Sequence, residues 1–165
     1  MELLQRHEKT PDCYNIDALT GLYNRGKYER DIRMFQATGY ERLTCVYMDV
    51  VGLHEVNNHL GHEAGDKMLC MISDAIREYF PKSLAYRIGG DEFCCIIPKG
   101  KSVDIERVIR KLYHDVDVLN NKRIIPTEVG IACGYAVFTV DDMELERVRE
   151  RADEEMYQRK KEMKM

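Results

Sequence analysis

The chain has 165 residues and a mass of 19.3 kDa, is 44% hydrophobic and 33% charged, and carries a net charge of −4. That length suits one domain with a sizeable core. No apolar run approaches the roughly 20 residues that cross a bilayer, no basic-then-apolar signal segment opens the chain, and the acidic balance argues against a general nucleic-acid binder.

Six cysteines stand at positions 13, 45, 70, 94, 95 and 133, none in a Cys-x-x-Cys spacing and most inside apolar runs. They read as reduced core residues of a cytoplasmic protein rather than as disulfides or zinc ligands. His59 and His62 have a metal-like spacing, but Gly61 between them breaks the helix that such a site would need.

Residues 1–16 are polar and mixed, and Pro11 ends any opening helix near Thr10, so they read as a connector. Asp17-Ala-Leu-Thr-Gly-Leu-Tyr-Asn-Arg25 is a turn-rich segment with Leu19 and Leu22 as apolar pins. Asn24 is placed to cap a helix that carries Tyr28, Ile32 and Phe35 on one face and ends at Gly39. Leu43-Thr-Cys-Val-Tyr-Met48 is a buried strand delivering Asp49 at its end, where a carboxylate serves either as a turn-initiating cap or as a metal ligand.

Residues 52–58 read as a loop with a short helical turn; beyond them Met68, Ile72, Ala75, Ile76 and Tyr79 recur at helical spacing up to Pro81. Asn57 is either a plain loop residue and Asp66 a solvated helix acid, or the two together match a guanine edge. In the second case the carboxylate accepts from the two ring-edge donors and the carboxamide meets the remainder.

Two short apolar runs flank Arg87-Ile-Gly-Gly-Asp-Glu-Phe93. This predicts a hairpin whose tight turn uses Gly89 and Gly90 at positive φ and lets a phosphate chain approach the bare backbone. Asp91 and Glu92, being adjacent on a strand, point to opposite faces. Residues 103–119 form another amphipathic helix, residues 123–125 and 128–138 a second hairpin-like region, and residues 144–161 a closing helix with a basic end. The order predicts an α+β fold with a central, mostly antiparallel sheet flanked by helices.

The string Gly89-Gly-Asp-Glu-Phe93 has a chance frequency of roughly one in a million per position, and Asp17-x-Leu-Thr-Gly-Leu-x-Asn-Arg25 precedes it in order. With both, the chain resembles the GGDEF family of diguanylate cyclases over most of its length. The resemblance implies a palm-like nucleotidyl-cyclase fold over residues 17–165. It implies condensation of two GTP to cyclic di-GMP, across an antiparallel homodimer in which a second GGDEF domain faces the first. Mg²⁺ or Mn²⁺ would be held by Asp49, the Val50 backbone carbonyl and Asp91, with Glu92 as a third acid. Asn57 and Asp66 would read guanine, and Gly89, Gly90, His54, Lys160 and Lys164 would meet the phosphates. An upstream sensory domain is implied if the chain is a fragment.

The chain departs from the family pattern at several positions. Gly26 stands where a second Arg is usual, and Val51 where a second Asp is usual. His54 replaces a lysine that touches phosphate, which costs roughly 1.5–3 kcal/mol, or about ten- to hundredfold. Phe80-Pro-Lys-Ser83 replaces the Arg-x-x-Asp of product inhibition, so no feedback is expected there, and Met165 replaces an Asn. The alternative is a degenerate GGDEF domain that binds GTP or dimerises as a signalling module.

Overall fold

The computed structural model describes residues 13–38, 42–80, 84–98, 105–121, 129–139 and 145–163. Among them are five strands, β1 (Tyr23–Asn24), β2 (Arg42–Val51), β3 (Leu84–Arg87), β4 (Glu92–Pro98) and β5 (Gly130–Thr139). Five α-helices accompany them: α1 (Arg25–Thr38), α2 (Leu53–Leu60), α3 (His62–Tyr79), α4 (Ile105–Asn121) and α5 (Leu145–Met163). The strands form one sheet in the order β1-β3-β4-β2-β5, with β1 parallel to β3 and every other pairing antiparallel. This is the expected α+β architecture.

Strand alternation sorts the core into two layers. Val46, Met48, Val50, Phe93, Cys95, Ile97, Ile131 and Cys133 face α3 and α4, meeting Met68, Leu69, Ile72, Ile76, Ile109, Leu112 and Val116. Leu43, Cys45, Tyr47, Tyr86, Cys94, Ile96, Ala132 and Ala136 face the other way, under Tyr28 and Phe35 of α1 and Ala152 and Met156 of α5. On that second face Asp31 accepts from Lys27 Nζ (Oδ2, 2.6 Å) and from the Tyr86 hydroxyl (2.7 Å), so a buried ion pair keeps hydrogen-bond partners.

Among the described residues β5 is an edge strand, and outward backbone groups of β5 and of Val129 just before it are met by side chains. Val129 N–H donates to Asn120 Oδ1 (3.1 Å) while Asn120 Nδ2 donates back to Val129 O (2.8 Å). Further along, Cys133 N–H donates to the Tyr113 hydroxyl (3.1 Å) and Tyr135 N–H to Glu155 Oε2 (2.9 Å). These contacts tie α4 and α5 to the strand.

The helix cap at Asn24 is as expected: the Lys27 amide donates to Asn24 Oδ1 at 3.0 Å. The segment expected as a loop with one turn is instead the helix α2, and α3 begins as early as His62, with Gly61 (φ 83°) separating the two. Gly39, Pro81 and residues 123–125 lie outside the described residues. Cys45, Cys70, Cys94, Cys95 and Cys133 are free, and burial pushes the thiols of Cys45 and Cys133 up to about 12, as suits reduced core residues. No described helix is long and apolar enough to cross a membrane.

Candidate active site

The floor of the site is the end of the sheet where β2 and β4 meet. Asp49 lies directly opposite Glu92 in the antiparallel register. Val50 N–H donates to Asp91 O at 2.9 Å, so the even-numbered residues of β2 turn their backbone toward β4. Asp49 and Glu92 therefore form a non-hydrogen-bonded pair, the kind in which opposing Cα atoms are closest, about 4.5 Å apart. Both side chains belong to the α1/α5 face, by alternation with Tyr47 and Cys94. Asp49 is 6% exposed. Like charges in that register repel, which a cation between them relieves.

Beyond this pair the chain makes two turns. At the end of β2, Gly52 adopts φ 91° and swings the backbone directly into α2, a left-handed conformation that L side chains resist. At the end of β3, the last ladder pair is Arg87–Phe93 and β4 begins at Glu92, so residues 88–91 make the turn. The N–H groups of Ile88 and Gly89 both donate to Glu92 O, at 2.9 and 3.3 Å. The expectation of positive φ at Gly89 and Gly90 is corrected: neither lies in the left-handed region. The turn is too long to require the mirror-image geometry of a two-residue hairpin. Gly89 is needed for space instead, because a Cβ there would stand 2.3 Å from Glu92 Oε2. At Gly90 a Cβ would meet nothing within 4 Å, so this peptide is open to a ligand.

The turn is held from outside by Arg87, whose guanidinium donates to Gly90 O (2.7 and 3.3 Å) and to Asp17 Oδ1 (3.2 Å). The first signature segment thus braces the second across 70 residues of sequence. Asp17 Oδ1 also accepts from the Thr20 amide (2.9 Å) and hydroxyl (2.7 Å). Burial pushes the Asp17 carboxyl up, but the Thr20 bonds and the Arg87 guanidinium outweigh it and hold the group below its ordinary 3.8.

One wall of the site is α5. Its axis lies against β5 at Gly134, where a Cβ would come within 2.0 Å of Ala152 O and 2.4 Å of Met156 N. Glu155 and Arg159 fasten the same stretch: Glu155 Oε2 takes the Tyr135 N–H, and Arg159 donates to Glu155 Oε1 (2.7 Å) and the Tyr113 hydroxyl (3.4 Å). Between α5 and the sheet end opens a cleft of about 750 Å³, lined by Asp49, Glu92, Glu150, Asp153, Glu154, Met156, Tyr157 and Lys161.

The other wall is the α2–α3 pair, over the opposite face of the sheet. A Cβ on Gly65 would stand 2.0 Å from Asn57 Oδ1, so the carboxamide occupies the place of the missing side chain, next to Asp66. Asn57 Oδ1 is buried and has no hydrogen-bond partner among the described residues. Asp66 and His54 are exposed, and Asn58 Nδ2 pairs with His54 Nε2 at 3.0 Å.

A family model described as "Diguanylate cyclase, GGDEF domain" matches residues 14–165. The chain belongs to the GGDEF family. Curated relatives of this GGDEF domain include a Shewanella oneidensis protein named cyclic di-GMP phosphodiesterase PdeB, 32% identical over 75% of this chain and 15% of that one. The Escherichia coli probable diguanylate cyclase DgcJ is 30% identical over 86% of this chain and 28% of its own length. The chain therefore spans less than a third of these relatives. The crystal structure of the GGDEF domain of DgcB from Caulobacter crescentus, in complex with c-di-GMP, shares the fold with a TM-score of 0.76 at 21% identity, covering 92% of each chain. The FimX GGDEF domain of Pseudomonas aeruginosa also matches at 0.76, with 17% identity over 90% of this chain and 94% of that one.

Within this GGDEF domain, Asp49 and Glu92 share the α5 cleft, and Asp91 sits one residue before β4, its carbonyl accepting from Val50 N–H. On the α2–α3 wall Asn57 lies against Gly65, the residue before Asp66, and neither Asn57 nor Asp66 lines that cleft. Lys160 lies within α5, its side chain outside what is described; Lys164 and residues 81–83 lie outside the described residues altogether, while Phe80 is buried. Sequence reasoning missed the bracing by Asp17, the spaces at Gly65 and Gly134, and the cleft position of Lys161. All four arise from contacts between distant segments, and only Gly65 beside Asp66 left a local sign. Among the described residues no three His, Cys, Asp or Glu side chains form a metal cage. The carboxylates that do share the cleft, Asp49 and Glu92, are hard oxygen donors, a chemistry that suits a cation keeping water or phosphate ligands and not zinc.

Proposed function

We propose that this domain is a diguanylate cyclase that condenses two GTP to cyclic di-GMP. In each of two steps a 3′-hydroxyl attacks an α-phosphate, a P–O bond forms to the ribose, the bond to pyrophosphate breaks, and the hydroxyl proton is lost to solvent or a carboxylate. The single observation carrying this reading is the Asp49–Glu92 pair, opposed across the ladder and sharing one cleft.

When bound, Mg²⁺ or Mn²⁺ supplies charge neutralisation on the phosphates and acidifies the attacking hydroxyl. Asp49, Asp91 and the Val50 carbonyl would hold it. Glu92 acts as the third acid, orienting the site or assisting proton removal, and its place in the cleft beside Asp49 supports that role. Gly90 leaves room for the triphosphate, Gly89 makes way for the Glu92 carboxylate beside it, and Asn57 and Asp66 read the guanine edge. Lys160, Lys164 and His54 complete the phosphate contacts. His54 is the weakest of these, since Asn58 already engages its Nε2.

Each domain holds one GTP, so the reaction requires a second copy facing the first in an antiparallel homodimer, in the cytoplasm, where GTP is made. Residues 1–16 then serve as the connector, through which an upstream sensory domain sets pairing if the chain is a fragment, with residues 17–165 as the GGDEF domain.

The test is incubation of the chain with GTP and Mg²⁺, free and as a forced dimer, with cyclic di-GMP followed by mass spectrometry. Product from the dimer supports the cyclase; tight GTP binding without product in the dimer favours the degenerate, GTP-binding module instead. Asp66→Ala should abolish the preference for GTP over ATP, and undiminished discrimination in that variant removes the base-reading role.

A further inference from the structure

The α5 cleft poses an electrostatic problem for a polyphosphate. Five of its lining side chains are carboxylates, Asp49, Glu92, Glu150, Asp153 and Glu154, and among the described residues Lys161 is its single cation. Each unit charge 4 Å from a phosphate is worth about 1 kcal/mol even in bulk water, and more at a protein surface. The helix adds to the problem, because its C-terminal end carries a partial negative charge. Lys161 belongs to the last turn of α5, where a cation offsets that dipole as well.

Lys161 is also held in place. Its ammonium lies 4.3 Å from the centroid of the Tyr157 ring, one turn earlier on the same helix, while Tyr157 is 54% exposed along the cleft. A ring beneath an ammonium attracts it and narrows the freedom of a long, flexible side chain. No ion pair competes for this ammonium among the described residues. Among the described residues it is Lys161 that brings a positive charge to the cleft.

We infer that Lys161, seated on Tyr157, is a phosphate-contacting residue of this domain. The inference rests on the proposed reading of the cleft as a guanosine triphosphate site. Tyr157 is the positioning residue, presenting the ammonium toward the floor formed by Asp49 and Glu92.

The test is calorimetric titration of the full chain, in Mg²⁺, with a GTP analogue carrying a methylene between its α- and β-phosphates, and in parallel with guanosine. K161Q should weaken the triphosphate analogue by about 10- to 100-fold and leave guanosine unchanged, whereas K161R stays within about threefold of the parent. Y157F should keep the affinity and Y157A lose part of it, which separates ring support from the hydroxyl. Parent-like analogue binding by K161Q, or an equal loss for guanosine, overturns the role of Lys161 while the nucleotide site stands. If the parent chain binds neither ligand, both this inference and the proposed function fall.

Discussion

The two helical walls around the sheet end use the same device and obtain different results from it. Each is built over a glycine whose missing side chain is replaced by something else. At Gly134 the occupant is the backbone of α5, Ala152 O and Met156 N; at Gly65 the occupants are side chains, the Asn57 carboxamide and, less closely, a methyl of Leu53. Backbone cannot yield without moving a whole helix, whereas a carboxamide can rotate away. The α5 wall is therefore part of the fold, further fastened through Glu155 and Arg159. The α2–α3 wall is a local fitting, adjustable without disturbing the core.

Breaking the first wall should have the largest effect. Gly134→Ala places a methyl group against helix backbone, and overpacking of that kind costs about 3 kcal/mol or more. Thermal melting should show a large drop in midpoint or loss of the cooperative transition, and cyclase activity should disappear with the fold. A variant that melts like the parent would mean that α5 is not seated on the strand.

The floor common to both walls comes next. Asp49→Asn keeps shape and burial but removes the charge opposite Glu92. Cyclic di-GMP formation by the forced dimer should fall by about 10²- to 10³-fold, comparable to the loss of one transition-state charge contact. Because like-charge repulsion across the ladder is relieved, the melting temperature should hold or rise.

Gly65→Ala sharpens the contrast with Gly134→Ala. The added methyl displaces the Asn57 carboxamide rather than a helix, so stability should change by less than about 1 kcal/mol. GTP affinity in equilibrium titration should nevertheless fall by about tenfold, as the loss of one or two hydrogen bonds implies. A stability loss as large as that of Gly134→Ala would erase the distinction between the walls.

The smallest effect concerns the brace outside both walls. The Asp17 carboxyl is held below its ordinary 3.8, so its stabilisation is fully present above that value and is lost as pH falls through the lowered folded value. Urea unfolding from about pH 5 to pH 3 should show a shallower acid decline for Asp17→Asn than for the parent chain. Parallel declines would exclude Asp17 as a contributor.

Much of this was legible in the chain itself. The β2 strand announces itself by its apolar, β-branched run, α1 by the Asn24 cap and its Tyr28–Phe35 face, and the acidic turn by Gly89-Gly-Asp-Glu-Phe93. The reading failed where local pattern underdetermined the backbone. The Gly-Gly pair suggested a tight turn at positive φ, but turn length depends on where the β3–β4 ladder stops. The 52–58 stretch shows only Leu53 and Val56 as apolar residues, and the i, i+3, i+7 stripe of a helix completes itself only at Leu60, beyond the bounds read as a loop.

Residue types and their order thus determined the kind of chemistry this protein carries: hard oxygen donors beside a bare glycine peptide, on a mixed sheet clothed in helices. Tertiary structure alone decided which carboxylates meet. Register put Glu92, not Asp91, straight across from Asp49; an ion pair spanning distant segments steadied the turn; and α5, settling on Gly134, brought Tyr157 and Lys161 to the cleft. Periodicity reports which face a residue occupies, but opposition and close approach depend on how separate segments pack, and that information is not local.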